Sequence, residues 1–418
     1  MNPRRSWITY SIVVAAAGSL LKRHTPNFGW CQIYPSLQSI LEKTHSQLFF
    51  ETLGSLLRPS LHIEKALGHA CGMGCVNLYY YTVYFAALLV STSLLSRPLF
   101  VLAGGKTNTN LPELTTRAAK AILFSLPIYL IVYSYGSIVD AIYPASIIGI
   151  TYLLLNKTYR SASGQKHQRL FIDPIIPCLA ALSFLADMSR PYAPYIILIL
   201  IAAAAAQKNP KAVIGLATGI LLALPYHTIQ AAKTGSPMLT NYTGCNLMEV
   251  FHAPGTIPPG GMATTPQTTI ATRCAFNQAN INYYIVHSPV SALRDLTNPP
   301  RLLRSALPAP FTPWEYDGFP GFSKIDEIAQ WALWAALIIF LYLPTILLVY
   351  TSLPQTLHNG AATALLSLAI GLPFLITIST NGGQEAGRVG LSFLLPILFL
   401  AATQTIAFSK SKKFSQAD

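Results

Sequence analysis

Apolar residues in this chain come in runs close to membrane length, parted by short polar turns and by two long polar interruptions. The runs fall at about residues 8–21, 77–96, 119–136, 139–155, 171–187, 192–206, 211–228, 327–350, 361–379 and 389–408. A helix needs about 20 mostly apolar residues to cross a bilayer. Shorter runs, or runs broken by Pro, suit helices buried inside a bundle. The pattern predicts an all-α polytopic membrane protein with about ten transmembrane helices. The tight hairpins 119–155 and 171–206 also allow nine or eleven. Residues 1–418 read as a single integral-membrane domain, interrupted by a first outer loop (22–76) and a large outer loop (229–325). In the first loop, Leu37 to Leu57 spaces its apolar residues at a helical period, which predicts an interfacial amphipathic helix. The large loop has no apolar run able to cross a bilayer, and a connection this long is functional or a small folded unit. Within it, Ile285–Pro289 and Arg294–Arg304 predict short amphipathic helices.

Composition supports this reading. Hydrophobic residues make up 52% of the chain and charged residues 10%, with a mean hydropathy of +0.44, against roughly 25% charged residues in a soluble domain. The net charge of +13 does not point to nucleic acid, because no basic–aromatic binding motif accompanies it. The basic residues instead follow the positive-inside pattern. With both termini cytoplasmic, the short outer turns hold only Arg190 and Arg388. All acidic residues but Glu113, Asp173 and Asp418 then face outward. The first run, Ile8 to Leu21, follows Arg4 and Arg5 and resembles a signal peptide. No small-residue cleavage site follows it, so it reads as a retained span.

The candidate chemistry lies along the outer rim. Glu42, Glu51 and Glu64 are the carboxylates of the first loop, each either a solvated surface charge or a catalytic base held over the membrane edge. Asp140 stands between two spans in the tip Tyr133 to Pro144. An ionisable residue there is costly and suggests function, although a helix cap or ion pair would also explain it. Asp187 and Arg190 occupy the next tip, where they can pair with each other or offer a cation to a lipid phosphate. Glu385 and Arg388, after Gly382-Gly383, offer the same two options. Cys31, Cys71 and Cys75 lie outside with their pairing open. The spacing around His69-Ala-Cys71 fits no zinc pattern. Cys245 and Cys274, the only cysteines of the large loop, form the expected disulfide there in an oxidising exterior.

The long first outer loop, Asp140, Ser189-Arg-Pro191, Thr234-Gly-Ser-Pro237 through Gly244-Cys-Asn246, His287-Ser-Pro289 and the Arg388 turn together resemble the GT-C superfamily of membrane glycosyltransferases. The likeness is to bacterial relatives of the protein O-mannosyltransferases and aminoarabinose transferases. It implies a GT-C-like fold in a bacterial inner membrane, with the active site facing the periplasm. It also implies transfer of a sugar from a polyprenyl-phosphate carrier to a protein, glycan or lipid hydroxyl. Such enzymes carry an acidic base early in the first outer loop, whereas here no acidic residue lies between Arg5 and Glu42. The base candidates are therefore Glu42, Glu51 and Asp140. Arg388, Arg190, Asp187, Glu385 and His287 are the candidates for holding the donor and its phosphate. A phosphate leaving group departs without a general acid, so one base suffices, unlike the two carboxylates of glycoside hydrolysis. The sequence identifies no definite cofactor, and a divalent metal ion at the phosphate stays open. The alternatives are an O-antigen polymerase or ligase and, third, a lipid-linked sugar flippase or transporter, which would place ionisable groups at mid-membrane in paired repeats.

Overall fold

A segment apolar on every face is stable as a helix only when protein or lipid encloses it, since its backbone groups must then be satisfied within the segment. The computed structural model describes residues 3–22, 57–104, 113–133, 138–161, 174–190, 192–234, 247–248, 250–256, 270–300, 302, 328, 332–333, 335–358, 360–380 and 385–414. Among these residues there is no strand. The helices are α1 (Pro3–Lys22), α2 (Leu57–Ala103), α3 (Glu113–Tyr133), α4 (Ile138–Ser161), α5 (Ile175–Ser189), α6 (Ala193–Ala206) and α7 (Pro210–Thr234). Two more, α8 (Ile270–His287) and α9 (Pro289–Leu296), lie within the large polar interruption. A π-turn at Ile338–Tyr342 leads into α10 (Leu343–His358), followed by α11 (Ala361–Thr380) and α12 (Glu385–Phe414).

Each of the ten apolar segments contains helix. Among the described residues, Gly74–Ala103, Pro210–Ile229 and Ala335–Ser352 are long and apolar enough to cross a membrane, and shorter apolar helices accompany them. The chain is therefore an all-helical protein, among the described residues, whose apolar helices suit a lipid bilayer. Helix α2 reaches back to Leu57, inside the segment read as the first outer loop. It bends at Cys71 and Gly72, where Gly72 takes φ +70°, a left-handed conformation that glycine adopts without steric cost. Cys71 and Cys75 close a disulfide across this bend, which settles one pairing that the sequence left open. Glu42, Glu51, Cys245 and the interfacial helix expected at 37–57 lie outside the described residues or nearly so, only Leu57 falling within them.

Helix α4 is the centre of the bundle, with every residue from Ala141 to Thr151 buried. One face, including Ala141, Ile142, Ala145 and Ile148, packs into a core with residues of α1, α2, α3, α10 and α12. The other, including Tyr143, Ile147, Ile150 and Leu154, packs into a second core with α5, α6, α7, α11 and α12. These faces explain why the segment shows no amphipathic stripe. Several polar side chains find their partners on a neighbouring helix. Ser11 and Ser96 meet at 2.8 Å, Tyr10 donates to the Leu123 carbonyl at 2.6 Å, and Ser125 donates to the Phe340 carbonyl at 2.9 Å. The last bond reaches a carbonyl of the π-turn, where the regular helical ladder is interrupted.

Helices α5 and α7 pack closely along a seam of small residues. A Cβ added at Gly219 would lie 2.4 Å from the Ser183 Cβ and 2.6 Å from the Ala180 carbonyl. Next to it, Ser183 donates to the Leu216 carbonyl at 2.9 Å. We expect Gly219→Ala to lower thermal stability of the detergent-solubilised protein by about 1–3 kcal/mol, the usual penalty of overpacking. Gly371→Ala on α11, where an added Cβ meets nothing within 4 Å, should leave the melting temperature unchanged or slightly raised. Equal melting of wild type and Gly219→Ala would contradict the close α5–α7 contact.

Candidate functional site

Helices α4, α6 and α12 begin, and α5 and α7 end, at one pole of the bundle. Ring contacts bring these ends together. Tyr143 of α4 packs edge-on against Tyr192, at the start of α6, with centroids 6.0 Å apart. It also meets Phe393 of α12 at 5.9 Å, and Tyr192 lies 5.7 Å from Phe393. The Tyr143 hydroxyl oxygen is buried with no hydrogen-bond partner among the described residues.

Asp187 stands in the last turn of α5 and is fully buried. Its Oδ1 lies 2.7 Å from Nε2 of His227 on α7, whose side chain keeps 14% of its surface exposed. A helical side chain leans toward the N-terminus of its helix, so His227, near the end of α7, reaches back toward α5. Burying a lone carboxylate costs several kcal/mol, so a partner within the bundle is needed. The sequence offered Arg190 as that partner; the contact at 2.7 Å is with His227. The second oxygen, Oδ2, is buried and has no hydrogen-bond partner among the described residues. Such an orphan acceptor calls for a water, a proton or a ligand group.

Arg190 caps α5, its backbone N–H donating to the Ala186 carbonyl at 3.3 Å, and its side chain is half-buried. Extended backbone at Arg190 (φ −141°, ψ 136°) ends the helix. The chain then re-enters helix at Ala193, a connection short enough to hold the two ends together. Asp140 lies in the first turn of α4, one turn before Tyr143. Glu385 opens α12 and Arg388 follows in its first turn, so both belong to the helix and not to the preceding turn. Arg388 precedes Phe393 by about one and a half turns. By helix position, Asp140, Asp187, Arg190, Glu385 and Arg388 all belong to this pole. The side chains of Asp140, Glu385, Arg388 and Cys274 lie outside the described set.

A separate folded unit occupies part of the large interruption. Val250, Phe251, Ala253, Ile281 and Ala292 form its small core. Asp295 on α9 is its polar clasp. The carboxylate Oδ2 accepts the backbone N–H of His252 at 3.0 Å and the Tyr284 hydroxyl at 3.1 Å. Oδ1 lies 3.3 Å from Nδ1 of His252, whose ring is largely exposed. Partial burial pushes the Asp295 carboxyl up, but the bonds from His252 and Tyr284 outweigh it and hold the group below its ordinary range. Burial, then the hydrogen bond and charge of Asp295, push the Tyr284 hydroxyl up. His287 ends α8, where its ring is exposed. Its Nδ1–H donates to the Tyr283 carbonyl at 2.8 Å, and it stacks on Tyr283 with centroids 3.8 Å apart. Ser288 leaves the helical conformation, so the helix expected from Ile285 to Pro289 is split between α8 and α9.

The sequence reading found Asp187 and Arg190 but missed His227 as a partner and Asp295 as a clasp. An imidazole at the end of an apolar run was the available signal for the first. The second gave no local signal, since 43 residues separate His252 from Asp295. Comparison with family models, with curated proteins and with solved structures finds no match for this chain.

Because the folded Asp295 titrates below its unfolded value of about 3.9, its contribution to stability is present above that pH. It is lost as pH falls through the lower folded value. Hydrogen exchange, corrected for intrinsic rates, should show protection across α8 and α9 holding down to about pH 4 and declining in stronger acid. Asp295→Ala should weaken that protection at neutral pH by about 1–3 kcal/mol, the cost of unmaking buried hydrogen bonds. Protection indifferent to both changes would contradict the clasp.

Proposed function

We propose that this chain is a polytopic membrane glycosyltransferase of the GT-C type, working at the extracytoplasmic face of a bacterial inner membrane. It transfers a sugar from a polyprenyl-phosphate carrier to an acceptor hydroxyl on a protein, glycan or lipid. The crossing number of about ten and the cytoplasmic termini belong to this proposal. The observation that carries it is the Asp187–His227 pair at the pole where Asp140, Arg190 and Arg388 also belong, at the bundle end that the charge pattern assigns to the outside.

The reaction needs a base for the acceptor proton and cations for the departing phosphate. His227 is the side chain of the pair that reaches the surface, and Asp187 holds its ring and stabilises the imidazolium formed. The acceptor oxygen attacks the anomeric carbon, the bond to the phosphate oxygen breaks, and the acceptor proton passes to the base. Arg190 and Arg388 would stabilise the charge developing on the phosphate. Asp140, Glu42 and Glu51 stand as the carboxylate alternatives for the base, with Glu385 and His287 as further donor contacts. Isoprenoid tails would reach the pole from the lipid between helix ends.

The test supplies radiolabelled polyprenyl-phosphate sugars and hydroxyl acceptors to the full chain in proteoliposomes. His227→Gln should lower kcat by about 10²–10⁴-fold, the usual weight of general base catalysis, with KM for the donor little changed. Asp187→Asn should lower kcat in the same direction, with folding checked by thermal unfolding. Wild-type turnover that survives His227→Gln while falling with Asp140→Asn, Glu42→Gln or Glu51→Gln would return the proton to a carboxylate. Absence of transfer from every lipid-linked sugar would overturn the transferase reading.

A further inference from the structure

The folded unit of the large interruption leaves one helical face uncovered. On α8, Asn277, Ile281 and Tyr284 turn inward, the first two fully buried. The opposite face presents Phe276 (46% exposed), Tyr283 (66%) and Val286 (72%), and α9 continues with Val290 (81%) and Leu293 (60%). The spacings 276, 283, 286 and 290, 293 keep each set on one side of its helix. Large apolar side chains this exposed and this close together in sequence mark a surface that meets something apolar.

Two observations choose the occupant. The unit is strung between α7 and the Ala335–Ser352 stretch, both apolar and long enough to cross a membrane, so a bilayer surface is always within reach. The charge also fits phosphate-bearing lipids. Arg294 is exposed beside Val290, and Arg301 and Arg304 follow in the sequence. Asp295, the carboxylate of α9 itself, is buried and engaged by Tyr284 and His252. A short amphipathic element with an apolar face, a basic flank and an aromatic carrying a polar tip is built to lie at a headgroup boundary.

We infer that α8 and α9 form an interfacial anchor, whose Phe276–Tyr283–Val286 and Val290–Leu293 face seats in an anionic phospholipid surface. This surface property does not depend on the transfer reading, and its test needs no sugar donor. Seated in this way, the unit would be held flat against the membrane instead of projecting from it.

The test places the photo-crosslinking residue benzoylphenylalanine at position 286, 290 or 293 of the full chain, with Gln278 on the flank of α8 as the reference site. Each protein is reconstituted in vesicles of phosphatidylcholine alone or mixed with phosphatidylglycerol, illuminated, and analysed by mass spectrometry. Lipid adducts at 286, 290 and 293 should exceed those at 278 several-fold and should rise with phosphatidylglycerol. Adducts to a second copy of the chain, adducts no more frequent than at 278, or yields indifferent to the anionic lipid would each overturn the assignment.

Discussion

The rest of the bundle depends on the complete enclosure of α4. A helix with one apolar stripe can rest on a single core, but α4 buries every residue from Ala141 to Thr151 and so must be surrounded. Its two faces enter two different cores, and among the described residues α12 is the other helix that places fully buried side chains in both. Helices α4 and α12 are therefore the common wall, and both carry an internal proline, Pro144 and Pro396. Proline removes a helical hydrogen bond, and packing against neighbours on all sides is what makes that loss tolerable. The N-terminal ends of these two helices meet at Tyr143 and Phe393, so the pole with the polar residues is also where the two cores converge.

Enclosure dictates how the bundle treats polarity. Hydroxyls can be accommodated singly, because a backbone carbonyl one turn away accepts their proton, as for Ser91 and Thr92. An ionised carboxylate has no proton to give a backbone carbonyl and requires a donor from elsewhere. Asp187 receives it from His227, and this sets a geometric demand on α5 and α7. The small-residue seam at Gly215 and Gly219 lets the two backbones approach, and the parallel course of the helices then carries His227 within reach of Asp187. Packing far below the pole thus fixes the geometry at the pole.

Much of this was legible from the chain. The ten apolar segments all contain helix, and Asp187, Arg190, Asp140 and Arg388 were singled out because polar groups at the ends of apolar runs stand out against their surroundings. What was not legible depends on which helix lies beside which. Nothing near Asp187 in sequence announces a partner 40 residues away, and the apolar pattern of α4 carries no preferred direction because all its faces are buried. The seam at Gly215-Leu-Ala-Thr-Gly219 was not read from the sequence, because nothing in it says which helix it faces. The bend at Gly72 and the Cys71–Cys75 bond show the same limit, since three candidate cysteines cannot choose among themselves.

The division of exposure within the Asp187–His227 pair constrains any mechanism built on it. In the proposed mechanism Asp187, fully buried, positions the ring of His227, and the proton passes to the side chain of the pair that reaches the surface. His227 retains some surface, and its Nε2 is the nitrogen that faces Asp187. In the outer unit it is Nδ1 of His252 that faces Asp295. The two histidine–carboxylate pairs therefore present opposite ring nitrogens. Only the pair at the pole belongs with the rim arginines that a departing phosphate would need, which is why the proposed chemistry is assigned there and the outer pair to holding α9 in place.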